Sequence, residues 1–306
     1  MENIYLKLRR LFFSPPSLVP LTVMLKKHTD LFPKINEPIN SIAASSVPCW
    51  HEFGCNGSFN QKNQGIVKGW RVNCNGEWMS FTDRIDNFSL ISQEEVIKDW
   101  TCDISDLHGF SASKSALGEF QSMDAMATVN SPEMTFPVTQ KKLESNLQHK
   151  EIRILHCKNT TDHFCIYAWD GRLWLINSGG SHHLAAAKYQ ASLLGIKVPM
   201  TGLLRVLRLQ HDPIVDLCQK YEIFYVSGPE NHSNWYSIYS SLEQHQAAYF
   251  SHSMPRPFGG CAIYFPRNDA SSRNAAAEFR QLGAFDIGVY LQILLDRQTR
   301  LAAAHK

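Results

Sequence analysis

The sequence predicts an α+β fold. Three observations carry that prediction. An apolar strand, a glycine pair and an alanine-rich helix follow one another over residues 172–200. Short alternating strands with an Asn-Gly turn precede them at residues 65–81. A strand at residues 261–265 and a helix at 271–282 close the chain in αβ fashion. With 306 residues, 44% hydrophobic, the chain can bury one large core or two smaller ones.

At the start, Lys7, Arg9 and Arg10 precede an apolar run that Pro15, Pro16 and Pro20 interrupt. The prolines argue against a signal peptide or a membrane span, so a basic amphipathic helix over residues 2–13 is expected. Residues 1–38 then form a helix and linker. Residues 39–135 read as a β-rich region with a connecting loop. Within it, residues 65–74 alternate, Asn75-Gly76 marks a hairpin turn, and residues 77–81 return. Ser92-Gln-Glu-Glu95 has the form of a capping box and predicts a short helix through Trp100. Residues 111–137, rich in Ser, Ala, Met and Gly, read as a connection with a domain boundary.

Residues 136–226 form the expected core unit. Thr139 caps a short helix that carries Lys141, Lys142, Glu144 and Ser145. Residues 152–156 and 163–168 are strand candidates, and Asp170-Gly171 makes a turn. Leu173-Trp-Leu-Ile176 is an apolar run of strand length. Gly179 and Gly180 then turn the backbone, and Ser181 is the expected N-cap. Residues 184–194 form a helix of strong formers that Gly195 stops, and residues 196–200 resume a strand. The order suits a small α/β layer around a right-handed crossover. Residues 203–219 read as a helix or helix pair interrupted near Asp212-Pro213, and residues 221–226 as a strand.

Residues 227–306 form a C-terminal αβ extension. Its aromatics, Trp235, Tyr236, Tyr239, Tyr249 and Phe250, are expected in the core, because interleaved Arg and Lys for stacking on bases are lacking. Residues 285–295 read as a buried strand or short helix, and residues 296–306 as a polar tail.

The composition sets limits on function. A net charge of +2 provides no broad field toward nucleic acid, although a local basic patch stays open. Eight irregularly spaced cysteines without a CxxC pair read as reduced thiols of a cytoplasmic protein. Cys49, His51, Cys55 and Cys74 match no standard zinc spacing, so no metal is expected.

The chemistry of the glycine turn is anion binding. A turn feeding a helix start exposes N–H groups and the positive end of the macrodipole. His182 and His183 in the first helical turn add imidazole donors. The run Gly179-Gly180-Ser181-His182-His183-Leu184-Ala185-Ala186 resembles the signature turn of the ParB/sulfiredoxin superfamily. The resemblance spans about residues 136–226 and implies a small mixed core with a nucleotide phosphate, of ATP or CTP with Mg, at the helix start. It also implies that the preceding helix reaches the nucleotide, through Lys141 or Lys142. Ser181 stands where sulfiredoxins carry their catalytic cysteine, which argues against sulfinic-acid reduction. His183 stands where a phosphate-binding arginine is usual.

Three functions follow. In an NTPase or phosphotransferase, Gly179, Gly180, Ser181, His182 and His183 cradle phosphate, His182 stabilises the transferring group, and Asp170 or Glu144 serves as base or metal ligand. A non-enzymatic interaction or inhibitor protein of phage or plasmid type would keep the fold with a degenerate site and bind a protein partner. A ParB-like nuclease or DNA-binding protein would need basic residues near the same turn.

Overall fold

The computed structural model describes residues 20–26, 31–35, 40–54, 65–228 and 232–304. The helix expected over residues 2–13, and Cys55, lie outside these. In chain order the elements are α1 (Leu21–Leu25), β1 (Ile66–Val72), β2 (Trp78–Arg84), β3 (Ser92–Asp103), β4 (Leu107–Phe110), α2 (Met123–Asn130), α3 (Pro132–Thr135), α4 (Gln140–Leu147) and α5 (Arg153–His156). They continue with β5 (His163–Tyr167), β6 (Leu173–Ile176), α6 (Ser181–Leu194), β7 (Pro199–Leu209), α7 (His211–Lys220), β8 (Tyr221–Val226), α8 (His232–Gln244), β9 (Tyr249–Ser253), β10 (Cys261–Pro266), α9 (Ala270–Gln281), β11 (Phe285–Asp286) and α10 (Ile287–Ala304). The class is α+β.

Two sheets organise these elements. One has the order β3-β7-β5-β6-β4, the other β11-β8-β10-β9-β1-β2. Strand alternation makes them neighbours. In the first sheet, Phe164, Leu175, Leu204 and Val206 face a core under α2, α4 and α6. Their neighbours Cys165, Trp174 and Leu209 face the other way, into a core shared with the second sheet. That sheet contributes Ile223, Tyr225, Ala262 and Tyr264 to the shared core. It turns Phe224, Val226, Ile263 and Phe265 to an outer core under α1, α8 and α9.

The sheets cross the expected boundaries at residues 135 and 226. β3 and β4 join β5–β7, whereas β8 joins β9–β11 and the early hairpin. β6 and β7 both flank β5; β5 is antiparallel to β6 and parallel to β7. The unit β6-α6-β7 therefore links antiparallel strands, and is not a parallel crossover.

Several local expectations hold. Asn75-Gly76 turns the β1–β2 hairpin, with Gly76 at φ +83° and the Asn73 side chain accepting from the amides of Asn75 and Glu77. Thr139 caps α4 through the Lys142 amide, and Gly195 ends α6 at φ +67°. Tyr249 and Phe250 are buried, whereas Tyr236 is exposed.

Others are overturned. Ser92-Gln-Glu-Glu95 opens strand β3 and not a helix. Glu94 and Glu95 pair across to Arg205 and Arg208 of β7 at 3.0 and 3.4 Å. Cross-strand charge pairing thus accounts for the carboxylates that resembled a capping box. β7 replaces the helix expected from residue 203, because Met200, Leu204 and Val206 are buried on one face at even spacing while Arg205 is exposed. Residues 153–156 form the short helix α5 where a strand was expected. α10 replaces both the short element and the polar tail. Its Ile287, Leu291, Leu294 and Leu295 repeat at helical spacing into the shared core. Beyond them Gln298 exchanges two hydrogen bonds with the Leu209 backbone, at 2.9 and 3.0 Å.

Five histidines, His51, His108, His182, His183 and His252, are held below the ordinary value of 6.5, foremost by burial. A group whose folded pKa is depressed leaves the unfolded chain to take up protons first as pH falls through 6.5. Stability is therefore lost on acidification from that point. The midpoint of urea unfolding is expected to be lower at about pH 5.5 than at about pH 7.5, before most carboxylates titrate. Equal midpoints at the two pH values would contradict the buried neutral state of these rings.

Candidate functional site

The parallel neighbours β4 and β6 deliver two loops to the same edge of the first sheet. Asn177, buried just past β6, joins them. Its Oδ1 accepts from the Ser111 and Ala112 amides at 3.2 and 3.1 Å, and its Nδ2 donates to the carbonyls of Ala112 and Gly179 at 3.0 and 2.9 Å. Ser178 is anchored next, with its hydroxyl donating to the buried Asp162 at 2.6 Å and accepting from Arg153 at 2.5 Å.

Gly180 is the N-cap of α6, at φ +74°. A Cβ there would lie 2.7 Å from the Glu151 carbonyl oxygen, so the close approach that requires glycine is made by the chain itself. At Gly179 a Cβ would meet the nearest Glu151 atom at an ordinary 3.5 Å. Ser181 is the first helical residue and not the cap. Its hydroxyl donates to Ser113 at 2.9 Å. The first ladder bond of α6 runs from the Leu184 amide to the Gly180 carbonyl. The amides of Ser181, His182 and His183 therefore keep the unpaired state of helix starts among the described residues.

These groups border a cleft of about 700 Å³. Its other walls are the loop Ala112–Ser115, the junction of α2 and α3, and the segment His149–Arg153. His182 sits between two hydroxyls, with Nδ1 2.6 Å from Ser131 Oγ and Nε2 3.1 Å from Ser115 Oγ. Asn130 Nδ2 donates to Ser115 Oγ at 2.9 Å. Burial lowers the His182 pKa, Lys114 lowers it further and Glu133 opposes them.

His183 is differently bound. Asn146 donates its amide to Met134 O and Gln190 Oε1 at 2.8 and 3.0 Å, which leaves Asn146 Oδ1 to accept from His183 Nδ1 at 3.0 Å. The neutral ring thus has its proton inward and only an acceptor, Nε2, remaining. It also stacks on His149 at 3.6 Å between centroids, and burial followed by His149 lowers its pKa. The ring therefore has no donor left for the phosphate-binding role expected of it.

Of the other expected site residues, Lys141 and Lys142 lie on α4 and do not line the cleft. Glu144 is exposed on the same helix and accepts from Gln140 at 3.0 Å. Asp170 is removed from the site. It is buried in the β5–β6 turn, paired with Arg172 Nη2 at 2.6 Å and accepting from Trp174 Nε1 at 3.1 Å. Arg172, 21% exposed at the side chain, lies over the Trp174 ring. Asp170 is therefore neither base nor metal ligand for the cleft.

The sequence reading did not place Ser113, Lys114, Ser115, Ser131, Glu151 or Arg153 here. Ser113, Lys114 and Ser115 lie in the loop that the parallel pairing of β4 with β6 brings beside the glycine turn, whereas Glu151 and Arg153 come from the segment at the start of α5, which packs against Gly180. Away from the cleft, one ligand atom from each of Cys49, His51 and Glu52 falls within 4.8 Å of the others. Glu52 is already held by Arg256, through Nε at 3.1 Å and through Nη2. Burial, with Glu52, pushes the Cys49 thiol up to about 11. Cys74 is exposed at the hairpin.

Residues 97–304 match a family described as a family of unknown function (DUF6685). The chain belongs to that family. No curated protein and no solved structure matches it. The DUF6685 match contains every residue of the cleft and leaves out the β1–β2 hairpin. Among the described residues no helix is long and apolar enough to cross a membrane.

Two substitutions separate the turn from its surroundings. Gly180→Ala should cost about 2 kcal/mol or more, from the left-handed backbone and the clash with Glu151. Gly179→Ala should change the urea midpoint little, and a larger loss at Gly179 than at Gly180 would refute this account of the turn. Asp170→Ala should cost about 3 kcal/mol, the low end for breaking a buried pair because Arg172 keeps partial access to water. The same variant is expected to leave ligand binding at the cleft intact.

Proposed function

We propose that the cleft at the start of α6 binds a phosphate-bearing ligand, with a nucleotide such as ATP or CTP as its first candidate. One observation carries the reading. Three unpaired helix amides open on a cleft that also holds His182, Arg153 and Lys114. The volume suits a nucleotide-sized ligand. The strand, glycine turn and helix around Gly179–Ala186 support the resemblance to the ParB/sulfiredoxin superfamily at this unit.

The rim is of mixed charge. Glu133 and Glu151 stand against Lys114 and Arg153. A magnesium ion accompanying a nucleotide would find oxygen ligands in these carboxylates. A nucleic-acid backbone would meet them as repulsion, so a single phosphate group suits the cleft better than a strand. Residence in a reducing cytoplasm suits the buried thiols of Cys102 and Cys165, each pushed up to about 12 by burial.

A panel of ATP, CTP and inorganic phosphate, each with and without magnesium, tests the reading by thermal shift and calorimetry. At least one is expected to raise the melting temperature, because a ligand of the folded state stabilises it by mass action. Lys114→Ala should weaken that ligand by about 1.5–3 kcal/mol, the worth of a hydrogen bond to a charged group. Lys141→Ala and Lys142→Ala should not. If no member of the panel binds the wild type at millimolar concentration, the proposal fails.

A further inference from the structure

The row Asn130–Ser115–His182–Ser131 contains more than a phosphate donor. Ser115 Oγ lies 3.1 Å from His182 Nε2, within the range for a nucleophile and its base. Asn130 donates to Ser115 Oγ at 2.9 Å, which occupies a lone pair and leaves the hydroxyl proton to point at the ring. On the far side of the ring, Nδ1 is 2.6 Å from the oxygen of Ser131, a residue with 1% exposure. In this arrangement each group donates to the next, and Ser131 fixes the plane of the imidazole. The ring also begins α6, so the unpaired amides of Ser181 and His182 border the same cleft.

We propose that Ser115 and His182 are the nucleophile and general base of a hydrolytic site for a carboxylic ester that carries an anionic group. The anionic part of this substrate class rests on the phosphate reading above, with Arg153 and Lys114 as its partners; the Ser115–His182 pair does not. A carbonyl carbon is the electrophile that a serine with a neutral imidazole base attacks, with the helix amides meeting the charge that develops on its oxygen.

The step balances without a further reactant except water. Ser115 Oγ bonds to the carbonyl carbon as its proton passes to His182 Nε2. The bond from that carbon to the leaving oxygen breaks, and His182 returns the proton to the departing alcohol. Water then attacks the acyl-Ser115 ester and gives its proton to His182. Ser115 departs with that proton, and the acid is released. Amides at the α6 start are placed to stabilise the oxyanion. Ser131 acts through the ring and is a positioning residue.

The test is covalent labelling of the full chain with a fluorophosphonate, read by peptide mass spectrometry. Attack by Ser115 Oγ expels fluoride and leaves the phosphonyl group on the serine. Folded wild type is expected to carry the adduct on Ser115, and urea-unfolded protein none. His182→Ala should slow labelling by about a hundredfold or more, the usual contribution of a general base. His182→Gln is a second variant that keeps a polar group at that position. It should be as slow, and its melting curve reports whether the fold is retained. The same variants should lose hydrolysis of p-nitrophenyl acetate. Folded wild type with no adduct on Ser115, or labelling of Ser115 unchanged in a folded His182 variant, overturns the proposal. Labelling of Ser115 in a protein that binds no phosphate ligand would sustain the nucleophile and remove only the anionic handle.

Discussion

The structure depends on the core shared between the two sheets. A strand with one face in water can satisfy a single packing demand. β5, β6, β8 and β10 have both faces buried, and their successive residues belong to different cores. Trp174 and Leu175 show the consequence. A slip of one residue would send the indole under α6 and the leucine between the sheets, and both cores would misfit. Asp170 reinforces the register, because its carboxylate accepts from the Trp174 indole inside the shared core. The turn that begins four residues after Trp174 is therefore placed by packing that has no direct contact with the cleft.

From that placement the polar connections follow. Asn177 continues β6 and ties the loop after β4 to the glycine turn. Gly180 lets the turn close over Glu151, which carries Arg153 to the cleft and brings the Glu151 carboxylate with it. The two histidines at the start of α6 then diverge. His182 faces hydroxyls that can donate or accept, whereas His183 faces an oxygen that can only accept. Adjacent residues of one type thus acquire different chemistry, one ring open to the cleft and the other committed to Asn146.

The sequence made the strand-turn-helix at residues 173–194 legible because each signal there is local: an apolar run, paired glycines, and a glycine stop with φ +67°. The β1–β2 hairpin was legible for the same reason. β3 was not, because Ser92-Gln-Glu-Glu95 satisfies the local chemistry of a helix start, and its actual partners are arginines more than a hundred residues away. The Leu-rich strand β7 misled likewise until Arg205 is seen at the surface between buried Leu204 and Val206. Asp170 reads in the sequence as a base or metal ligand; only the fold shows Arg172 and Trp174 around it. Ser115 and Ser131 give no local signal at all. They become a site through the pairing of β4 with β6 and the packing of α2 and α3 on α6.

Burial gives His182 its neutral state, and Lys114 adds to that tendency while Glu133 resists it. A protonated ring would be a stronger phosphate donor and could not accept a proton from Ser115. A neutral ring can still donate through one nitrogen and accept through the other, and two serines offer it both possibilities. The loss of a fixed positive charge is offset by Arg153 and by the helix amides, whose partial charges do not titrate. Anion attraction and proton acceptance therefore rest on different groups of the same cleft. That separation allows one site to hold an anionic ligand while keeping a base beside the Ser115 hydroxyl.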